Sequence, residues 1–273
     1  MNATASRTLS VRSIVITGIL AAVAILLGAT RLGFIPVPNP SGNATIMHVP
    51  AIIAGIIAGP ISGLIVGGIF GLYSFLSSTT PFFKDPLVAI LPRLFIGVFA
   101  YFAYRGLRDI NRTTGYVLAG VLGVLVAVFL VISFRNIPAA DTAAIIYPPL
   151  PPDAAEGARS MINLTGMAAV RAYQIIAVVV GALGIAVVAA LLRFINRGEI
   201  ELLAVSTAAI VGTLTNTVLV VGMLILRGWF PAGVIIPAVL PQAFAEIVIA
   251  VIVTVAVVGG WNQMESGGKG SSV

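Results

Sequence analysis

Few residues in this chain could do chemistry, and most of them sit inside hydrophobic runs. The only histidine, His48, stands at the mouth of one apolar segment, and Tyr73 lies near the end of the next. Arg93 follows Pro92 about six residues into a further segment, roughly 9 Å deep at 1.5 Å of rise per residue. Asn216 lies in a polar run, Thr213 to Thr217, about ten residues or roughly 15 Å from the end of its segment. Glu246 has Gln242 one turn earlier, hence on the same helical face. Trp229 precedes that last segment. Ionisable groups inside a bilayer are expensive and usually mark a ligand or ion pathway. Polar groups from several segments converging at similar depth suit a small-molecule pocket opening to one side of the membrane. The substrate-binding candidates are therefore His48, Tyr73, Arg93, Asn216, Trp229, Gln242 and Glu246.

Each also has a structural reading. Arg93 and Glu246 could neutralise each other, His48 could cap a helix, and Asn216 could bond a neighbouring helix. Thr213, Thr215 and Thr217 suit bonds to their own backbone carbonyls. Tyr73 and Trp229 suit an interfacial aromatic belt. The joint pattern outweighs any one member.

Catalysis has little support. The chain has no cysteine and no second histidine, so thiolate chemistry and a histidine-rich metal site have no ligands. It has no Walker A loop, no HExxH and no Gly-x-Ser-x-Gly elbow. An enzyme using His48 as base would lack both nucleophile and metal. The reading is a non-enzyme without catalytic residues, metal or cofactor.

The elements that must hold these residues are membrane helices. The chain has 273 residues, 59% of them hydrophobic and 9% charged, against roughly 25% charged in a soluble domain. Mean hydropathy is +1.11. The net charge of +6 reads as topology and membrane-surface charge, not nucleic-acid binding. A span needs about 20 apolar residues, and candidates lie at 13–30, 46–58, 61–76, 87–104, 116–134, 172–194, 202–226 and 237–258. That makes an all-α integral membrane protein of about eight spans. Basic clusters at 105–112 and 193–197 fall in short loops on one side, which places both termini in the cytoplasm.

Residues 45–75, TIMHVPAIIAGIIAGPISGLIVGGIFGLYSF, carry the clearest helix signal. Gly55, Gly59, Gly63, Gly67 and Gly71 recur every four residues, and Gly59-Pro60 breaks the run. This predicts two helices joined by a tight turn, the second with a glycine ridge for close packing. Residues 135–171 contain the polyproline-like stretch 147–152 and read as an outer linker or lid. The tail 262–273 is Gly/Ser-rich and reads as disordered. The first apolar run lacks an A-x-A cleavage signal and reads as a retained helix.

Three parts of the chain together resemble the substrate-binding S components of energy-coupling factor (ECF) vitamin transporters. Residues 45–75 look like the second and third helices of that family. Residues 83–93, FKDPLVAILPR, resemble the start of the fourth, and GTLTNTV at 212–218 with the Gln242/Glu246 helix resembles the last two. The resemblance covers about the first 104 residues and 202–258. It implies a six-helix core within 13–104 and 202–258 that captures a water-soluble vitamin or precursor from outside the plasma membrane. The implied partners are a transmembrane coupling subunit, two cytoplasmic ATPases and membrane lipid, with no nucleic acid. Small residues on the first helix, Gly18 and Ala22 with Ala24 and Gly28, stand where the family contacts its coupling subunit. The chain departs from a six-helix pattern between 105 and 200, where two hydrophobic segments are inserted. Arg93 suits a carboxylate such as that of pantothenate, and Glu246 a cation of the thiamine kind; pantothenate is slightly favoured. The alternative is a solitary secondary transporter of a small polar solute, driven by an ion gradient through Glu246.

Overall fold

The structure, a computed structural model, describes residues 10–36, 43–109, 111–135, 175, 178–179 and 181–268. It is an all-α bundle with one small hairpin. The helices are α1 (Val11–Ala29), α2 (Val49–Ala58), α3 (Pro60–Ser77), the single turn α4 (Pro86–Ala89), α5 (Leu91–Leu107), α6 (Arg112–Arg135), α7 (181–197), α8 (Ile200–Leu226) and α9 (Ala232–Gly268). Strands β1 (Phe34–Pro36) and β2 (Asn43–Thr45) pair antiparallel between α1 and α2, with Ile35 opposite Ala44. No hairpin is expected from the sequence.

Of the eight expected spans, five are long and apolar enough to cross a bilayer among the described residues: Val11–Ala29, Pro60–Ser77, Pro86–Leu107, Ile200–Leu226 and Gln242–Met264. The 10 residues of α2 extend about 15 Å, half the ~30 Å hydrocarbon core. Buried on nearly every face, α2 has neighbours in α3, α5 and α1 in place of lipid. The Pro-rich segment predicted as a linker or lid falls on residues outside those described beyond 135.

The Gly59-Pro60 break is realised as read. Gly59 adopts φ +95°, a conformation that side chains disfavour, and Pro60 opens α3 at a position where its missing N–H costs no bond. The glycine ridge is used within the chain. A Cβ on Gly63 would lie 2.8 Å from the Gly97 backbone, and one on Gly71 would lie 2.9 Å from Ile90 Cα. Cβ atoms on Gly55 and Gly67 would strike the carbonyls of Gly97 and Arg93. The α2–α3 pair therefore packs backbone to backbone on α5, the close approach that small residues permit in lipid.

The inserted pair lies beside the core. Ala119, Leu122 and Val126 of α6 and Val187, Leu191 and Ile195 of α7 share one buried cluster with Phe244, Val248 and Val251 of α9. The expectation of disorder from 262 is corrected over its first seven residues, because α9 continues to Gly268. Side-chain contacts hold the start of this extension. Asn262 Nδ2 donates to Glu201 Oε1 at 2.9 Å, and the Arg12 guanidinium lies 5.4 Å from the centre of the Trp261 ring. Residues 269–273 are outside those described.

Candidate substrate-binding site

The hairpin, the start of α2, the α4–α5 break and the α8–α9 turn gather at one end of the bundle, here called the upper end. Below it, four helices each turn a polar side chain inward. His48, Arg93, Asn216 and Glu246 are all buried, with relative exposures of 0%, 4%, 6% and 3%.

His48 is the residue preceding α2, and its side chain does not cap the helix. Its Nε2 lies 3.0 Å from Thr213 Oγ1 of α8, and Thr213 donates to the Ala209 carbonyl at 2.9 Å. Thr215 and Thr217 bond the carbonyls of Val211 and Thr213, the back-bonding expected of them. Asn216, one turn beyond Thr213, has its Oδ1 buried with no hydrogen-bond partner. It forms no interhelical bond among the described residues.

Arg93 enters through an irregularity. Pro86 and Pro92 flank a break at Ile90, where α4 ends and α5 begins. Arg93 Nη1 donates back to the Val88 carbonyl, while Nε is buried without a partner. The guanidinium packs against two rings, 5.4 Å from the centroid of Phe70 and 4.9 Å from that of Phe83. Such contacts favour a cation by about 0.5–2 kcal/mol each.

Glu246 Oε1 accepts two bonds from the protein, one from the Thr45 backbone N–H at 2.7 Å and one from Gln242 Nε2 at 3.0 Å. It thereby ties α9 to the last residue of the hairpin. Arg93 interacts electrostatically with both Glu246 and His48. It is not in direct contact with Glu246: among the described residues the ion pairs within 4 Å are Arg108–Asp109 and Arg227–Asp85. Mutual neutralisation by a contact ion pair is therefore not what holds these two groups.

Tyr73 and Trp229 lie apart from this cluster. Tyr73 packs on Gly28 of α1, where an added Cβ would come within 2.8 Å of its Cζ. Trp229 is 42% exposed at the α8–α9 turn, edge-on to Phe82 at 6.2 Å between centroids. Phe82 also meets Phe83 and Phe230, so an aromatic cluster roofs the Arg93 guanidinium. Asp85 fastens this roof: its Oδ2 accepts from Arg227 Nε at 2.6 Å and its Oδ1 from Leu87 N at 3.0 Å. The Arg227 bond holds the Asp85 carboxyl below its ordinary pKa.

The four small residues of α1 divide. Gly18 and Ala22 face outward, but Ala24 is fully buried and Gly28 is packed against Tyr73 and Met47. The inner face runs Thr17, Ala21, Ala24, Gly28, following the 3.6-residue period. Ala24 and Gly28 thus meet this chain's own helices, while Gly18 and Ala22 lie on the exposed face. Gly28 fits that face because even a methyl group would meet the Tyr73 ring.

Sequence reasoning missed the Thr45 N–H, Phe70 and Phe83. A backbone donor has no side-chain signature, and the two phenylalanines read as ordinary core. Among the described residues no three His, Cys, Asp or Glu side chains cluster as a metal site would need. A groove of about 200 Å³ between α5 and α8, lined by Leu91, Pro92, Phe95, Phe99, Leu219 and Met223, is apolar and contains none of the candidates.

Comparison with known proteins gives one family. A family model described as "ECF transporter, substrate-specific component" matches residues 12–158, from α1 through α6 and beyond. No curated protein matches the chain.

Proposed function

We propose, from the premise that the chain belongs to the family of ECF transporter substrate-specific components, that it is the subunit that captures a water-soluble vitamin or vitamin precursor for uptake. The observation that carries this reading is the inward convergence of His48, Arg93, Asn216 and Glu246 from four separate helical segments, all buried toward one end of the bundle. Buried polar groups from several helices are what a polar solute needs to leave water. Gln242 supports Glu246 from one turn away.

In this reading the upper end faces outside the plasma membrane and both termini are cytoplasmic. The partners are a transmembrane coupling subunit and two ATPases, with Gly18 and Ala22 on the outward face of α1 as contacts to the coupling subunit. Pantothenate is the substrate we favour, for its one carboxylate beside hydroxyl and amide groups.

Two measurements test it. Mass spectrometry of small molecules retained by the detergent-purified chain would identify the vitamin. Uptake of that vitamin by cells expressing the chain should require the coupling subunit and ATPases. Uptake by the chain alone, abolished by a proton uncoupler, would instead establish a gradient-driven transporter and overturn the proposal.

A further inference from the structure

Among the described residues, His48 Nδ1, Arg93 Nε and Asn216 Oδ1 are buried without a hydrogen-bond partner. Arg93 carries a permanent charge and five N–H donors. One reaches the Val88 carbonyl, Nε reaches nothing, and no carboxylate stands within ion-pair distance among the described residues. Two aromatic faces stabilise the cation without supplying an acceptor. Glu246, the one acidic side chain in its field, already takes two bonds from the protein on Oε1. The guanidinium edge is therefore short of an acceptor. Asn216 Oδ1 is short of a donor, and it lies one turn from the Thr213 that bonds His48.

We infer that the ligand is a carboxylate that also carries a hydroxyl or amide donor, with its anionic end on Arg93 and its donor on Asn216. Glu246 then acts as a positioning residue that fixes the hairpin through Thr45. It does not serve as the partner of a cationic ligand. This inference rests on the reading of the chain as a substrate-binding subunit. A carboxylate on a guanidinium edge is the geometry that gives the strongest hydrogen bonds, and it completes a charge that is otherwise costly in the bilayer.

Calorimetry on the full detergent-purified chain with matched acid and neutral pairs tests this: nicotinate against nicotinamide, pantothenate against pantothenol, biotin against biotinamide, and thiamine as a cation. One acid should bind at least tenfold more tightly than its neutral partner, and thiamine should not bind. Arg93→Gln should erase the preference for that acid. Glu246→Gln should weaken acid and neutral partner alike and leave the preference intact. Thiamine, or a neutral compound, binding as tightly as any acid would overturn the inference while leaving the transport role standing. Absence of binding across all the compounds would overturn the inference alone, because retained ligand and uptake test the transport role separately. The matched pairs use unaltered protein, so the outcome holds even if Arg93→Gln does not fold.

Discussion

His48 Nε2 and Thr213 Oγ1, 165 residues apart in the chain, lie 3.0 Å from each other inside the bundle. The bond fastens the start of α2 to the middle of α8 at the level of the candidate site. Thr213 is also tied to its own helix through the Ala209 carbonyl, so it is a fixed partner.

Thr213→Val keeps the volume of this side chain and removes the hydroxyl. The imidazole of His48 is then left buried without that bond, a loss of about 1–3 kcal/mol. Thermal unfolding in detergent should show a lower midpoint for Thr213→Val and recovery with Thr213→Ser. An unchanged midpoint in Thr213→Val would mean that the bond contributes nothing to the fold.

Much of this architecture is legible in the sequence where the signal is local. The turn at Gly59-Pro60 follows from residue types with few other conformations, and the Gln242–Glu246 bond follows from helical spacing. The hairpin was not legible, because each strand has three residues and one ends in proline. The inward direction of Ala24 and Gly28 required knowing which face of α1 meets α3. The gap between Arg93 and Glu246 arises because α5 and α9 each pack on α2 and α8 and not closely on each other, an arrangement that helical spacing does not encode.

The three-way backbone contact at Gly97 predicts a sharp contrast between glycines. A Cβ there would run into the Ala51 carbonyl and the Gly63 backbone, neither of which can rotate away. Gly97→Ala should therefore destabilise the bundle by about 1–3 kcal/mol, the usual cost of overpacking. Gly222, also helical, has open space around its Cβ position, so Gly222→Ala should leave the unfolding midpoint unchanged or raise it slightly. Equal effects at the two positions would refute the contact.

The bond between Asp85 and Arg227 predicts an acid-sensitive roof. Because the folded state lowers the Asp85 pKa, this carboxylate contributes stability at neutral pH. The contribution begins to fade as pH falls through the ordinary aspartate range near 4. It is gone once pH drops below the lowered folded value. Limited proteolysis of the 78–86 segment from pH 7 down to pH 3 should show cleavage rising with acidity. Asp85→Asn should be cleaved readily at every pH, with a flat profile. A profile that stays steep in the variant would place the acid sensitivity elsewhere.

The last helix has a practical consequence. At 1.5 Å per residue, the 37 residues of α9 make about 55 Å of helix, while the hydrocarbon core is only ~30 Å thick. Met264 near its end is 68% exposed, and the chain contains no cysteine. A single thiol introduced at 264 would be the sole labelling point on a long lever attached to Glu246. A spectroscopic probe there would turn small rotations of α9 into displacements large enough to read.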